Sequence, residues 1–199
     1  MSRTGNLKVR VVAVAHCIMN RSTRWWTEGK EVAEGPVREV LEALSSMGLG
    51  VIQMPCPEFT FCGNPRPPRS RAEYEELPGF REHCLKLARR TAEEIRTLTT
   101  LSREPKIEVI AIIGVERSPT CSVNLIPFRA DEGFSYGTGL GIFMEALKHE
   151  LEAIGLSIPM ISIDIHSPKE GLLTLKRLVK VGHQIEDKTK RNHNRKKYK

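Results

Sequence analysis

Three cysteines occupy equivalent positions along the chain, because each follows a run of apolar residues that predicts a buried β-strand. Cys17 follows residues 9–15, Cys56 follows residues 51–54, and Cys121 follows residues 107–114. If these strands are parallel neighbours, their carboxyl ends lie at one edge of a sheet, where open α/β proteins form their active sites. Three thiolates at one point can hold an iron–sulfur cluster and leave one iron without a protein ligand. The spacing therefore predicts chemistry at a metal centre rather than simple electron storage.

The remaining cysteines and two histidines leave other metal sites open. The chain has five cysteines, an odd number, with no C-x-x-C pair and no compact ferredoxin run. This pattern disfavours paired disulfides and a zinc ribbon. Cys84 lies on the apolar stripe of a predicted helix and is assigned to the core, whereas Cys62, six residues after Cys56, could be a fourth ligand. His16 and His166 keep a mixed Cys/His zinc site as an alternative.

Two polar residues near these cysteines are candidates for proton transfer. Glu58 lies two residues after Cys56 in a Cys-Pro-Glu segment, where the prolines fix the backbone and a carboxyl group suits a general acid or base. Ser118 lies three residues before Cys121 and precedes a proline, so its hydroxyl could hydrogen-bond a substrate. An exposed loop glutamate and an ordinary turn serine are the alternatives that these two positions leave open.

Strand patterns alternate with amphipathic helix patterns along the chain. Strands are predicted at residues 9–15, 51–54, 107–114 and 158–165, and helices at about 36–47, 79–100, 139–154 and from 167 onward. This order predicts an α/β fold with a Rossmann-like, open, mostly parallel four-stranded sheet and helices on both faces. Pro159 places the fourth strand near an edge, because proline cannot donate to a ladder. Two long loops follow the second and third strands, and loops of that length are usually functional.

The net charge of +7 is concentrated at the carboxyl end of the chain. Residues 187–199 carry seven Lys or Arg against one acid, which is +6 and leaves +1 for the rest. We expect residues 1–186 to form a single α/β domain with the three-cysteine site at the strand ends, and residues 187–199 to form a basic, disordered tail. A solvated tail without a specific partner is the simpler interpretation, and a weak electrostatic contact with RNA is the functional alternative.

The cysteine count and the hydropathy pattern also predict a compartment. Unpaired or metal-bound cysteines favour a reducing environment. The early apolar run is too short for a signal peptide, and no stretch of the sequence reaches the length of a membrane span. The sequence therefore predicts a cytoplasmic protein that makes no contact with a membrane.

Four short motifs together resemble the 2-thiouracil desulfurase family. They are His-Cys-Ile-Met-Asn at 16–20, Pro-Cys-Pro-Glu at 55–58, Pro-Arg-Pro-Pro at 65–68 and Arg-Ser-Pro-Thr-Cys at 117–121. The similarity covers roughly residues 8–150 in order, which is most of the predicted domain. Its most specific element is the pair of Cys-Pro-Glu and Ser-Pro-x-Cys, each after a strand.

The resemblance implies a cofactor, a reaction and a role for each site residue. In that family three cysteines hold a [4Fe-4S] cluster whose open iron takes sulfur from a thiolated nucleobase such as 2-thiouracil, giving uracil and sulfide. Carried over to this sequence, the cluster ligands would be Cys17, Cys56 and Cys121. Glu58 would assist proton transfer or water activation, and Ser118 would orient or protonate the substrate.

This sequence departs from the family around the pocket and keeps the ligands. Trp25 and Trp26 follow Arg24 where the family usually has tyrosine, and Ser122 replaces the glycine that usually follows the third cysteine.

Two other functions stay open: a nucleic-acid-binding module stabilised by zinc or by a fully ligated cluster, and a redox carrier. An open iron argues against the redox carrier, because clusters kept for electron transfer are usually fully ligated.

Overall fold

A computed structural model describes residues 7–180 of the 199-residue chain. In chain order the elements are β1 (Lys8–Val14), α1 (His16–Met19), a 3-10 turn (Arg21–Thr23), α2 (Arg38–Ser46), β2 (Gly50–Gln53), α3 (Pro57–Cys62), α4 (Arg71–Glu75), α5 (Phe80–Leu101), β3 (Lys106–Val115), β4 (Leu125–Arg129), β5 (Phe134–Thr138), α6 (Ile142–Ala153) and β6 (Met160–Ile163). A last helix, α7, begins at residue 169 and reaches the end of the described residues at 180.

Four strands form one parallel sheet in the order β2-β1-β3-β6. The centre of β1 is apolar on both faces and buried, as expected for a parallel strand that is covered on both sides. Each fully buried valine or isoleucine of these strands contributes about 1.5–3 kcal/mol. The predicted α/β class, with a parallel four-stranded sheet flanked by helices, is confirmed. β6 lies at an edge, as Pro159 predicted.

The long helix α5 packs one apolar stripe against this sheet. The stripe includes Phe80, Cys84, Ala88 and Ile95, all of them buried. Cys84 is fully buried, which confirms that it belongs to the core. Phe80 also stacks on Tyr74, with 4.7 Å between the ring centroids. This stack ties the short helix α4 to the core next to the carboxyl ends of the strands.

The two long loops contain more structure than the sequence predicts. The segment after β2 holds the short helices α3 and α4, and the segment after β3 holds an antiparallel hairpin of β4 and β5. The hairpin was missed because its strands have five residues each and are only partly buried. Residue 133, a glycine with a φ of 75°, provides the turn between them.

Two predictions fall outside the described residues. The domain boundary after residue 186 and the basic tail at 187–199 lie beyond residue 180, so both stay predictions. Within residues 7–180, no helix is both long enough and apolar enough to cross a bilayer.

Candidate active site

Backbone hydrogen bonds beyond the strand ends bring the three cysteine segments side by side. Met54 donates to the carbonyl of Val14 at 2.8 Å, and Ala15 donates to the carbonyl of Ile113 at 2.8 Å. The chain then turns into α1 and into α3, which carry the first two cysteines at their beginnings. The third cysteine is fixed by its own carbonyl, which accepts from Val115 at 2.9 Å.

One cavity of about 470 Å³ collects the predicted site residues at this edge of the sheet. Its lining includes Cys17, Cys56, Cys121, Glu58 and Ser118. The cavity therefore combines three thiols, a donor type that suits an iron–sulfur cluster, with the two groups predicted to handle protons. Thiols are the donors that the predicted cofactor takes, and cluster ligation itself stays a prediction.

Burial raises the pKa of all three cavity thiols and so favours their neutral form. Burial is the main cause that raises the pKa of Cys17 to about 12 and the pKa of Cys56 to about 11. It also raises the pKa of Cys121 far above the usual value, and a negative charge at Cys17 or Cys56 would add to that effect. Because only thiolates bind metals, binding of a cluster here would have to release these protons.

Glu58 is held in place by three hydrogen-bond donors. Thr120 donates to Glu58 Oε1 at 2.7 Å. Tyr74 donates to Glu58 Oε2 at 3.1 Å, and Arg66 Nη2 lies 3.4 Å from the same oxygen. All three partners can donate to an ionised carboxylate, which only accepts. The carboxylate therefore has a fixed direction at the cavity wall.

The turn after β3 holds Ser118 in place through backbone hydrogen bonds. The backbone N–H of Cys121 donates to Ser118 Oγ at 2.9 Å, and the N–H of Thr120 lies at 3.3 Å from it. The turn packs against the start of α6, since a Cβ added at Gly141 would lie 2.7 Å from the Cys121 nitrogen. The position of Ser118 is therefore set by backbone contacts, as a residue that orients a substrate needs.

Arg117, the residue before Ser118, has a strained backbone. Its φ of 61° lies in the left-handed region that few residues other than glycine adopt. Its guanidinium is 3.0 Å from Asp164 and lies over the Tyr136 ring at 5.6 Å. Strained residues often cluster at functional sites, and these contacts hold Arg117 at the cavity rim.

Aromatic and cationic side chains form the rest of the cavity mouth. Trp25 and Lys30 come from the segment after α1, with the ammonium 4.8 Å from the Trp25 ring centroid. Phe134 and Tyr136 come from the hairpin. Flat apolar surfaces beside a few polar groups are typical of sites for small planar ligands.

Two of the alternative metal ligands do not reach the cavity. Cys62 and His16 are absent from its lining, whereas His166 is part of it. Cys62 packs against the core and lies 3.9 Å from Arg69 Nη1. Among residues 7–180, no three His, Cys, Asp or Glu side chains are close enough to share a single metal ion. Of these alternative ligands, only His166 therefore reaches the cavity.

The sequence did not single out three residues that contact Glu58. Arg66 lies in the Pro-Arg-Pro-Pro motif, which could have pointed to it. Thr120 lies between the predicted site residues Ser118 and Cys121, and nothing in the local sequence pattern marks Tyr74. Their common feature is a tertiary contact with Glu58, which a sequence pattern does not reveal.

Comparisons with known proteins cover the same part of the chain. The sequence profile of a family described as "Putative 2-thiouracil desulfurase" matches residues 9–152. The chain is 32% identical over 152 residues to "Uncharacterized protein MJ0003" of Methanocaldococcus jannaschii, covering 76% of this chain and 84% of that protein. A solved structure described as "[4Fe-4S]-dependent thiouracil desulfidase TudS" matches with 20% identity and a TM-score of 0.43, covering 77% of this chain and 90% of that chain.

Proposed function

This chain belongs to the 2-thiouracil desulfurase family, and on that premise we propose that it is an iron–sulfur-dependent desulfurase acting on a thiolated nucleobase. In the reaction, 2-thiouracil and water would give uracil and hydrogen sulfide. The observation that carries the proposal is the single cavity lined by three cysteine thiols together with Glu58 and Ser118. A cavity that only stabilised the fold would not need a carboxylate and a hydroxyl beside the three thiols in its lining.

The thiols of Cys17, Cys56 and Cys121 would hold a [4Fe-4S] cluster. When bound, the cluster would supply an iron with a free coordination position, which is a Lewis acid for the sulfur of the substrate. Glu58, whose carboxylate is held at the cavity wall by three donors, would take a proton from the water that replaces this sulfur. Ser118 would orient the ring through its hydroxyl oxygen, which would accept a hydrogen bond from a ring N–H group.

The test is anaerobic reconstitution of the full chain with iron and sulfide. We expect a brown protein with roughly four iron and four sulfide per chain, which releases sulfide from 2-thiouracil and forms uracil in equal amount. 4-Thiouracil and 2-thiouridine serve as further substrates, so that the choice of one base does not decide the result. Zinc without acid-labile sulfide, or a loaded protein that leaves all three compounds unchanged, would overturn the proposal.

Variants of the two proton-handling residues test their roles. Glu58→Gln and Ser118→Ala should each keep iron and sulfide. In Glu58→Gln, which removes the acid–base group, kcat should fall by roughly 10²–10⁴-fold. Glu108→Gln is the matched control, because Glu108 is exposed near the opposite end of β3. Full turnover in Glu58→Gln would remove that residue from the proposal and leave the cluster assignment to be judged by its iron content.

A further inference from the structure

Thr120 lies between the two proposed catalytic groups and is itself almost fully buried. Its relative exposure is 1%. Its carbonyl accepts from the backbone N–H groups of Phe143 and Met144, at 3.0 and 3.2 Å, at the start of α6. The backbone of Thr120 is therefore fixed by a helix, and its hydroxyl has little freedom of position.

The hydrogen of the Thr120 hydroxyl has one strong acceptor. Glu58 Oε1 lies 2.7 Å away, and a carboxylate oxygen is a much better acceptor than sulfur. The Cys121 Sγ atom is farther away, at 3.5 Å. The hydroxyl therefore donates to Glu58.

Once this hydrogen is used, the Thr120 oxygen is left as an acceptor for Ser118. The two hydroxyl oxygens are 3.3 Å apart. Ser118 Oγ already accepts from the backbone N–H of Cys121 at 2.9 Å, so the Ser118 hydroxyl still has its hydrogen to donate. A single chain of hydrogen bonds thus runs from Ser118 through Thr120 to Glu58.

We propose that Thr120 is a positioning residue for desulfuration, because its buried hydroxyl aligns Glu58 and Ser118 as one unit. The inference rests on the proposed function and assigns to Thr120 a role that acts through Glu58 and Ser118. Without the Thr120 hydroxyl, Glu58 keeps the contacts with Tyr74 and Arg66, both of which reach Oε2. The Oε1 atom would then lose its partner, and the carboxylate could rotate.

The test compares Thr120→Val, which keeps the shape and removes the hydroxyl, with Thr120→Ser, which keeps the hydroxyl. We expect the valine variant to lose about 10²-fold in kcat, the effect expected for a small misplacement of a reacting group, while KM changes less than about threefold. The kcat of Thr120→Ser should stay within about threefold of that of the parent protein. Both variants should bind iron and sulfide as the parent does.

Thr91→Val is the matched control for removing a buried threonine hydroxyl. Thr91 is 2% exposed and donates to the carbonyl of Leu87 within α5. Its variant should keep full turnover. A double-mutant cycle then tests the alignment: Glu58→Gln should cost much less in the Thr120→Val background than in the parent, because coupled residues are not additive.

The outcomes separate the two proposals. If the loaded parent protein releases no sulfide from any thiolated base, the proposed function fails and this inference fails with it. If the parent is active, Thr120→Val with unchanged kcat, or Thr120→Ser as inactive as Thr120→Val, overturns the positioning role alone. Strictly additive effects of Thr120→Val and Glu58→Gln would also overturn it.

Discussion

The guanidinium of Arg66 lies 3.4 Å from Glu58 Oε2, and the two side chains are only 3% and 12% exposed. Arg66 also donates to the backbone carbonyls of Thr23 and Gly63, at 2.8 and 3.0 Å. One buried cation therefore joins the segment after α1, the end of α3 and the proposed catalytic carboxylate. The same contacts that fix the site also stabilise the fold around it.

Removing this cation should destabilise the protein strongly. Arg66→Met leaves the Glu58 carboxyl group, which is only 12% exposed, without its ion-pair partner, so the free energy of unfolding should fall by about 3–5 kcal/mol. Urea unfolding followed by circular dichroism measures the change. Arg96→Met is the control, since Arg96 pairs with Glu93 on the exposed face of α5, and its variant should unfold like the parent. An unchanged urea midpoint in Arg66→Met would contradict the assignment of a buried ion pair.

The three cavity cysteines should be required for the cluster, and a fourth should not. Cys17→Ala, Cys56→Ala and Cys121→Ala should each abolish the iron and sulfide content after reconstitution, because an incomplete ligand set does not hold the cluster. Cys62→Ala should keep the full content, since Cys62 does not line the cavity. Iron and sulfide analysis with the absorption spectrum is the measurement. Loss of the cluster in Cys62→Ala would make that residue a ligand and close the site.

The sheet could be predicted because a buried parallel strand is a continuous apolar run, and β1 and β3 have that pattern. Parallel order then places the ends of these strands together, so the cysteines could be grouped without any local metal motif. The hairpin could not be predicted in the same way. Its strands are short, and its aromatic residues face a cavity that exists only in the folded chain.

The partners of Glu58 could not be predicted for a related reason. Tyr74 comes from α4, a five-residue helix inside a proline-rich segment, and its ring stacks on Phe80 while its hydroxyl reaches Glu58. No periodic pattern reports such a contact. Local sequence therefore indicated which groups could do chemistry, whereas the contacts that orient them come from tertiary packing.

A pH-dependent contribution to stability is expected from Glu73. Hydrogen bonds from Arg129 and from the Ser70 backbone lower the pKa of Glu73 to about 2. A lowered pKa in the folded state means that the contribution is complete above the unfolded pKa of about 4.3 and is lost as the pH falls towards 2. Glu73→Gln should therefore cost about 1 kcal/mol at neutral pH, because solvent screens this partly exposed pair, and almost nothing near pH 2.

Urea unfolding of the metal-free protein at pH 6.5 and pH 2.5 measures this dependence. Arg129→Met removes the main partner of Glu73 and should reproduce most of the same pH-dependent loss. An equal cost of Glu73→Gln at both pH values would show that the carboxylate contributes no pH-linked stability.

A methyl group at Gly141 should damage the site through backbone contact alone. The φ of Gly141 is −69°, which any residue adopts, so Gly141→Ala adds no backbone strain of its own. Its Cβ would lie 2.7 Å from the Cys121 nitrogen and closer still to the Thr120 carbonyl. The turn that carries both residues must therefore move, and we expect the iron content to fall by at least about half.

Gly133→Ala separates this effect from a general loss of stability. Gly133 has a φ of 75° in the turn of the hairpin, and a Cβ there meets no atom within 4 Å. The strain should cost about 1–2 kcal/mol, while the iron and sulfide content after reconstitution stays at the parent level. Two results would contradict this prediction: a full cluster content in Gly141→Ala, or an equal loss of iron in Gly133→Ala. Either result would show that close packing at Gly141 does not hold Cys121 in place.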